Sequence, residues 1–126
     1  MKTIITTDQA PLPIGPYNQA VSSNGLVFVS GQIAIDPATG QLVLDSIEAE
    51  THRVLQNVRA VLEAAGSGLD RVVKSSVFVK DMNQFSRINA VYAEYFSEST
   101  APARELVQVS ELPKFVNIEI SVIATV

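Results

Sequence analysis

Residues 71–96, RVVKSSVFVKDMNQFSRINAVYAEYF, decide the fold. Arg71 to Lys80 is rich in valine and ends in Val77-Phe78-Val79, the composition of a strand. Asp81, with Gln84 three residues on, fits a capping box, and behind it Phe85, Ile88, Tyr92 and Phe96 recur on one helical stripe. A strand that runs into an amphipathic helix is a βα unit, and the rest of the chain is arranged around it. Upstream, Ile47, Val54, Leu55, Val58, Val61, Leu62 and Ala65 form the apolar stripe of another helix. Asp45 with Glu48 fits its capping box, and Gly66 supplies its stop. Lys2 to Thr6 is a short β-prone run, and Asp8 to Pro16, with Pro11, Pro13, Gly15 and Pro16, reads as a loop. Tyr17 to Ser22 and Leu26 to Ser30 are strand-like around Asn24-Gly25, a favoured hairpin turn, and Asp36 to Gly40 is a second turn. Downstream, Ala103 to Val109 and Val116 to Thr125 are the last two strands, split by Leu112-Pro113-Lys114. The order β-β-β, α, β, α, β-β predicts an α+β layer, a mixed sheet with both helices packed on one face.

Composition narrows what such a domain can do. At 126 residues the expectation is one domain, residues 1–126, large enough to bury a core unaided. Hydrophobic residues make up 47% and charged residues only 17%, below the usual quarter or so, and mean hydropathy is +0.23. No run of 18 apolar residues offers a membrane span, so the surplus apolar surface calls for a partner, most simply further copies of the chain. There is no cysteine, which removes disulfides, thiolate metal sites and thiol nucleophiles. One histidine, His52, rules out a histidine-rich metal site, and its place off the apolar stripe reads as solvated. The net charge of −4 lacks the basic footprint of a generic nucleic-acid binder. The first residues reach turn-forming positions too early for a signal peptide, so the expected location is cytoplasmic.

Few polar residues are left to carry chemistry. Arg104 opens a strand in Pro102-Ala103-Arg104. Alternation puts it on one face with Leu106 and Gln108, and Glu105 on the other. A planar guanidinium gives two parallel bonds to a carboxylate, although an arginine at a strand entry is also an ordinary surface residue. Glu119 should face away from the helices with Asn117 and Ser121, opposite Ile118, Ile120 and Val122. There it is either a solvated glutamate or a general base. Ile14-Gly15-Pro16-Tyr17 fixes a turn that ends in an aromatic hydroxyl, and Gly31, in Ser30-Gly31-Gln32, permits close backbone approach or a bulge. Asn89 adjoins the apolar stripe of the second helix, where it makes either a polar contact or none.

Ile14-Gly15-Pro16-Tyr17, Val29-Ser30-Gly31-Gln32-Ile33, Val77-Phe78-Val79-Lys80-Asp81, Asn89-Ala90-Val91-Tyr92 and Pro102-Ala103-Arg104 followed by Ile118-Glu119-Ile120 occur in the order and spacing of one family. Over Lys2 to Val126 the chain resembles the Rid family of reactive intermediate deaminases, also described as translation-inhibitor or perchloric-acid-soluble proteins. The resemblance implies a chorismate-mutase-like subunit, a homotrimer whose sheets form a central barrel, and ligand clefts between subunits. It implies hydrolysis of 2-imino acids and their enamine tautomers, such as 2-aminoacrylate and 2-iminobutanoate, to 2-keto acids and ammonia, with no cofactor and no metal. In that setting Arg104 would clamp the substrate carboxylate and Glu119 would activate water. Tyr17, Ser30, Gly31, Asn89 and Leu106 would line the site. The chain departs from the family pattern in having Glu105 for a small residue and Leu106 for a cysteine. A non-catalytic binder of small carboxylates such as 2-keto acids is the competing expectation, and an RNA-acting translation inhibitor a weaker one.

Overall fold

A computed structural model describes all 126 residues. Six strands and two helices follow in the expected order: β1 (Thr3–Ile5), β2 (Ala20–Ser23), β3 (Leu26–Gln32), α1 (Ile47–Ala64), β4 (Val72–Val79), α2 (Phe85–Tyr95), β5 (Ala103–Gln108) and β6 (Ile118–Thr125). They form one mixed sheet, ordered β1-β2-β3-β6-β4-β5, antiparallel except for the β4–β5 pair. That parallel pair is the βα unit of residues 71–96 closing onto β5. The C-terminal β6 inserts between β3 and β4 and holds the two halves of the sheet together.

Side-chain alternation along β6 sets the layers. Ile118, Ile120, Val122 and Ala124 are buried against the helices, joined by Val77 and Val79 of β4 and Val27 and Val29 of β3. From α1 come Val54, Leu55, Val58, Val61 and Leu62, and from α2 Ile88 and Tyr92. Phe85, expected on this stripe, is exposed instead. The Asp81 side chain caps a 3-10 turn at Met82–Gln84 through the Asn83 N–H, so the α-helix proper starts only at Phe85. No helix covers the reverse face of the sheet, although Phe78 at one end of it packs against a small buried cluster of Ile33, Leu112 and Val116. This face carries the exposed Phe28 and Val107 and the half-buried Phe78 and Ile123.

Local signals account for most of the element ends. Asn24 and Gly25 both adopt positive φ (53° and 77°) in the two-residue β2–β3 hairpin. Helix α1 ends in a Schellman motif: the Gly66 N–H donates to Glu63 O and the Ser67 N–H to Leu62 O, with Gly66 at φ 79°. Its start differs from the expected Asp45–Glu48 box. Ser46 is the N-cap, its hydroxyl accepting from the Ala49 N–H, and Glu48 is drawn away into a two-point pair with Arg87 of α2. That guanidinium holds the Glu48 carboxyl down at about 2. Replacing Ser46 with Ala is expected to lower the unfolding free energy by about 1 kcal/mol, read as a lower denaturation midpoint at unchanged slope. The strand expected from Tyr17 begins only at Ala20, because residues 7–19 are held as a loop by the buried Gln19 side chain. Its amide nitrogen donates to the carbonyls of Thr7, Ala10 and Pro11, and its oxygen accepts from the Thr7 N–H. No helix is long and apolar enough to cross a membrane.

Candidate active site

The candidate residues fall into two groups on opposite faces of the sheet. The first is built around Glu119 on the uncovered face. Strand β3 gains one residue against β6 between Val29 and Gln32, where Val29 pairs with Val122 and Gln32 with Ile120. This bulge brings the Gly31 backbone against the Glu119 side chain, so a Cβ at position 31 would collide with the carboxylate. Gly31 and Glu119 share a cleft of about 60 Å³ with Tyr17, Leu12, Ile14 and Pro113. Glu119 is half-buried and has no hydrogen-bond partner in the chain. Loss of hydration pushes its carboxyl above the usual carboxylate value, which makes it a stronger proton acceptor when ionised. Tyr17 stands at the mouth, exposed, its hydroxyl 3.4 Å from the Ile14 N–H. Ser30 lies beside the bulge with its polar groups already engaged. Its N–H donates to Gln19 O, its hydroxyl to Asn18 O, and its carbonyl accepts from the Gln32 side chain. Asn117, expected beside Glu119, turns away instead. Its backbone and side-chain N–H groups both donate to the fully buried Glu50 carboxylate of α1 (2.8 and 2.7 Å).

The second group is built around Arg104 on the helix face. Register pairs Arg104 with the buried Ser75 of β4, so its side chain projects under α2. There its Nη1 donates to Asn89 Oδ1 (2.8 Å), and its guanidinium lies over the Tyr92 ring, 4.7 Å from the centroid. Arg104 pairs with no carboxylate of its own chain. A hollow of about 460 Å³, lined by Asn89, Tyr92, Phe96, Glu98, Pro102 and Arg104, opens beside it. Leu106 follows on the same face, half-buried and packed on the core rather than lining that hollow. Glu105 points to the other face and binds Lys74 (3.0 Å) and the Ser76 hydroxyl (2.7 Å), which leaves the Arg104 charge unquenched. His52 is taken up by Tyr95 (2.8 Å) on the outer helix surface, away from both groups.

Within one copy the two groups cannot act on one small molecule. Arg104 and Glu119 lie two strands apart and three residues along, a Cα separation of about 14 Å, and their side chains leave opposite faces. The Glu119 cleft is also far below the roughly 300 Å³ at which ligand pockets begin. Asn89, expected to touch ligand, lines the hollow beside Arg104 and also holds that guanidinium. Tyr92, read from the sequence as a core residue, is the other support of that guanidinium. Asn89 and Tyr92 sit at i and i+3, the spacing that presents two side chains to one neighbour, and this is the signal that links them.

Comparison with known proteins bears on this arrangement. Residues 7–126 match the family model described as Endoribonuclease L-PSP. A RutC family protein of Pyrococcus horikoshii is 54% identical over 98% of this chain and 98% of its own. The 2-iminobutanoate/2-iminopropanoate deaminase of Salmonella typhimurium is 47% identical, again over 98% of each chain. The crystal structure of a conserved Rid family protein from Yersinia pestis superposes with a TM-score of 0.97 at 48% identity, covering 100% of both chains.

Proposed function

The chain belongs to the Rid family, and from that membership we propose that it hydrolyses 2-imino acids and their enamine tautomers, 2-aminoacrylate and 2-iminobutanoate among them. Water adds to the C=N carbon, the C–N bond breaks, and a 2-keto acid and ammonia leave. The observation that carries this reading is the unpaired Arg104 guanidinium, held from behind by Asn89 and Tyr92 with no carboxylate of its own. It is suited to a ligand carboxylate, which it takes through two parallel bonds and so fixes the imine carbon. Glu119, its carboxyl raised by lost hydration, takes the proton from the attacking water and offsets charge on the protonated imine. The iminium is already electrophilic, so positioning and one base suffice.

Because one copy keeps the two residues apart, the site is completed by a neighbouring copy. Arg104 of one subunit faces Glu119, Gly31 and Tyr17 of the next, in a homotrimer whose uncovered sheet faces meet. The exposed Phe28 and Val107, and Leu12, Ile14 and Tyr17 at the Glu119 cleft, are the apolar surface such an assembly covers. The test is a coupled assay in which a serine or threonine dehydratase generates the imine and 2-keto acid formation is followed. Added protein is expected to accelerate it; folded protein that adds nothing to the uncatalysed rate, yet binds 2-keto acids, would make the chain a carboxylate-binding regulator. An RNA-acting role is disfavoured by the net charge of −4, and tight filter binding at low salt that weakens steeply with added salt would revive it. In the same assay Gly31→Ala is expected to lower turnover at least tenfold with the fold intact, since its Cβ displaces the Glu119 carboxylate.

A further inference from the structure

Arg104 stands at a strand entry with one of its five N–H donors committed, to Asn89. An arginine with so few bonds samples many rotamers, and a clamp that must be ordered anew for each ligand loses affinity to that ordering. The Tyr92 ring limits this freedom. The guanidinium sits 4.7 Å from its centroid, within the ~6 Å reach of a cation–π contact. The ring is itself locked, buried to 6% exposure and tilted against Phe96 at a centroid distance of 4.6 Å. Its hydroxyl is buried without a hydrogen-bond partner, as is the hydroxyl of Ser75, the strand partner of Arg104. Burial raises the phenol above its ordinary value, against smaller lowering contributions from the nearby Ser75 hydroxyl and Arg104 guanidinium, so it stays neutral. What Tyr92 offers Arg104 at contact distance is therefore its π-face; its hydroxyl lies near the guanidinium but makes no well-formed hydrogen bond to it.

We infer that Tyr92 is a positioning residue for carboxylate recognition. Its ring is the platform on which the Arg104 guanidinium is preorganised, with Asn89 fixing the orientation of the fork. The inference rests on Arg104 as the carboxylate anchor, but the platform is observable without any ligand. In the native protein the Arg104 Nε–H signal is expected to be shifted upfield by the Tyr92 ring current. The shift should persist in Tyr92→Phe and vanish in Tyr92→Met, which fills similar volume without a π-face. Titrated by calorimetry, 2-oxobutanoate is expected to bind Tyr92→Phe within twofold of the native affinity and Tyr92→Met about tenfold more weakly.

A ring-shifted Arg104 with undiminished affinity in Tyr92→Met would overturn the inference, as would a Phe variant as impaired as the Met variant. An unshifted Arg104 signal in the native protein would overturn it even if the Met variant failed to fold. Native protein that shows the ring shift but binds no 2-oxobutanoate would overturn the inference, while the deaminase reading is decided separately by imine turnover in the coupled assay. Loss of affinity in Tyr92→Met alone would leave both standing.

Discussion

Arg104→Ala is expected to lower kcat/KM for imine hydrolysis by about 10²- to 10³-fold, since two charge-assisted hydrogen bonds are together worth roughly 3–4 kcal/mol. Both kcat and KM should suffer, because the carboxylate anchor also sets where the imine carbon lies. The substitution should cost the isolated subunit little stability. Arg104 forms no ion pair in the chain, and the two partners it deserts, the Asn89 side chain and the Tyr92 ring, border an open hollow. Arg104→Lys keeps the charge but not the planar fork, so it should recover part of the lost binding and little of the rate. The measurement is steady-state kinetics in the dehydratase-coupled assay, with thermal unfolding as the control. A variant as active as the native protein would remove Arg104 from the site.

Glu119→Gln should separate binding from chemistry. The amide fills the same space and keeps a hydrogen-bonding oxygen, so affinity for 2-keto acids is expected to stay within about threefold. Turnover should fall by about 10²- to 10⁴-fold, the usual share of a positioned general base. The pH dependence follows from the raised carboxyl of Glu119, whose cause is desolvation. As the base, Glu119 must be ionised, so kcat falls as pH drops through its raised value, and this acid limb should disappear in the Gln variant. Stability runs the other way. The folded chain binds the Glu119 proton more tightly than the unfolded chain does. Ionised Glu119 therefore disfavours the fold, a penalty absent below the unfolded carboxylate value and complete above the folded one. Glu119→Gln should consequently be no less stable than the native protein at neutral pH. A Gln variant that turns over at the native rate would show that Glu119 is not the base.

Element types were legible in the sequence because each long element announces its period. The stripe from Ile47 to Leu62 and the alternation from Ile118 to Ala124 both survive in the buried core. Sheet order was not, since nothing in the composition of Ile118–Thr125 says that a C-terminal strand enters between β3 and β4; that depends on long-range pairing. The α1 cap was placed to within one residue, whereas the α2 cap was placed three residues early, because Asp81 caps the 3-10 turn that precedes the helix. Asp45 and Ser46 are both good N-caps, and what separates them is the tertiary pair that Arg87 makes with Glu48. At the candidate site, alternation correctly grouped Arg104 with Leu106 against Glu105, but it fixes parity and not sign. Which face lies under the helices emerges only from the register of β5 on β4. The Glu50–Asn117 contact joins residues 67 apart in the chain, and a glutamate in the first turn of a helix reads as solvated until its burial is seen.

The central claim is that each active site takes Arg104 from one copy and Glu119 from another. The direct test is to unfold Arg104→Ala and Glu119→Gln proteins together, refold the equimolar mixture and assay it against each variant refolded alone. In random mixed assemblies, one interface in about four joins an intact Arg104 to an intact Glu119, so about a quarter of native activity should return. A mixture confirmed as mixed by mass, yet no more active than its parts, would contradict the account.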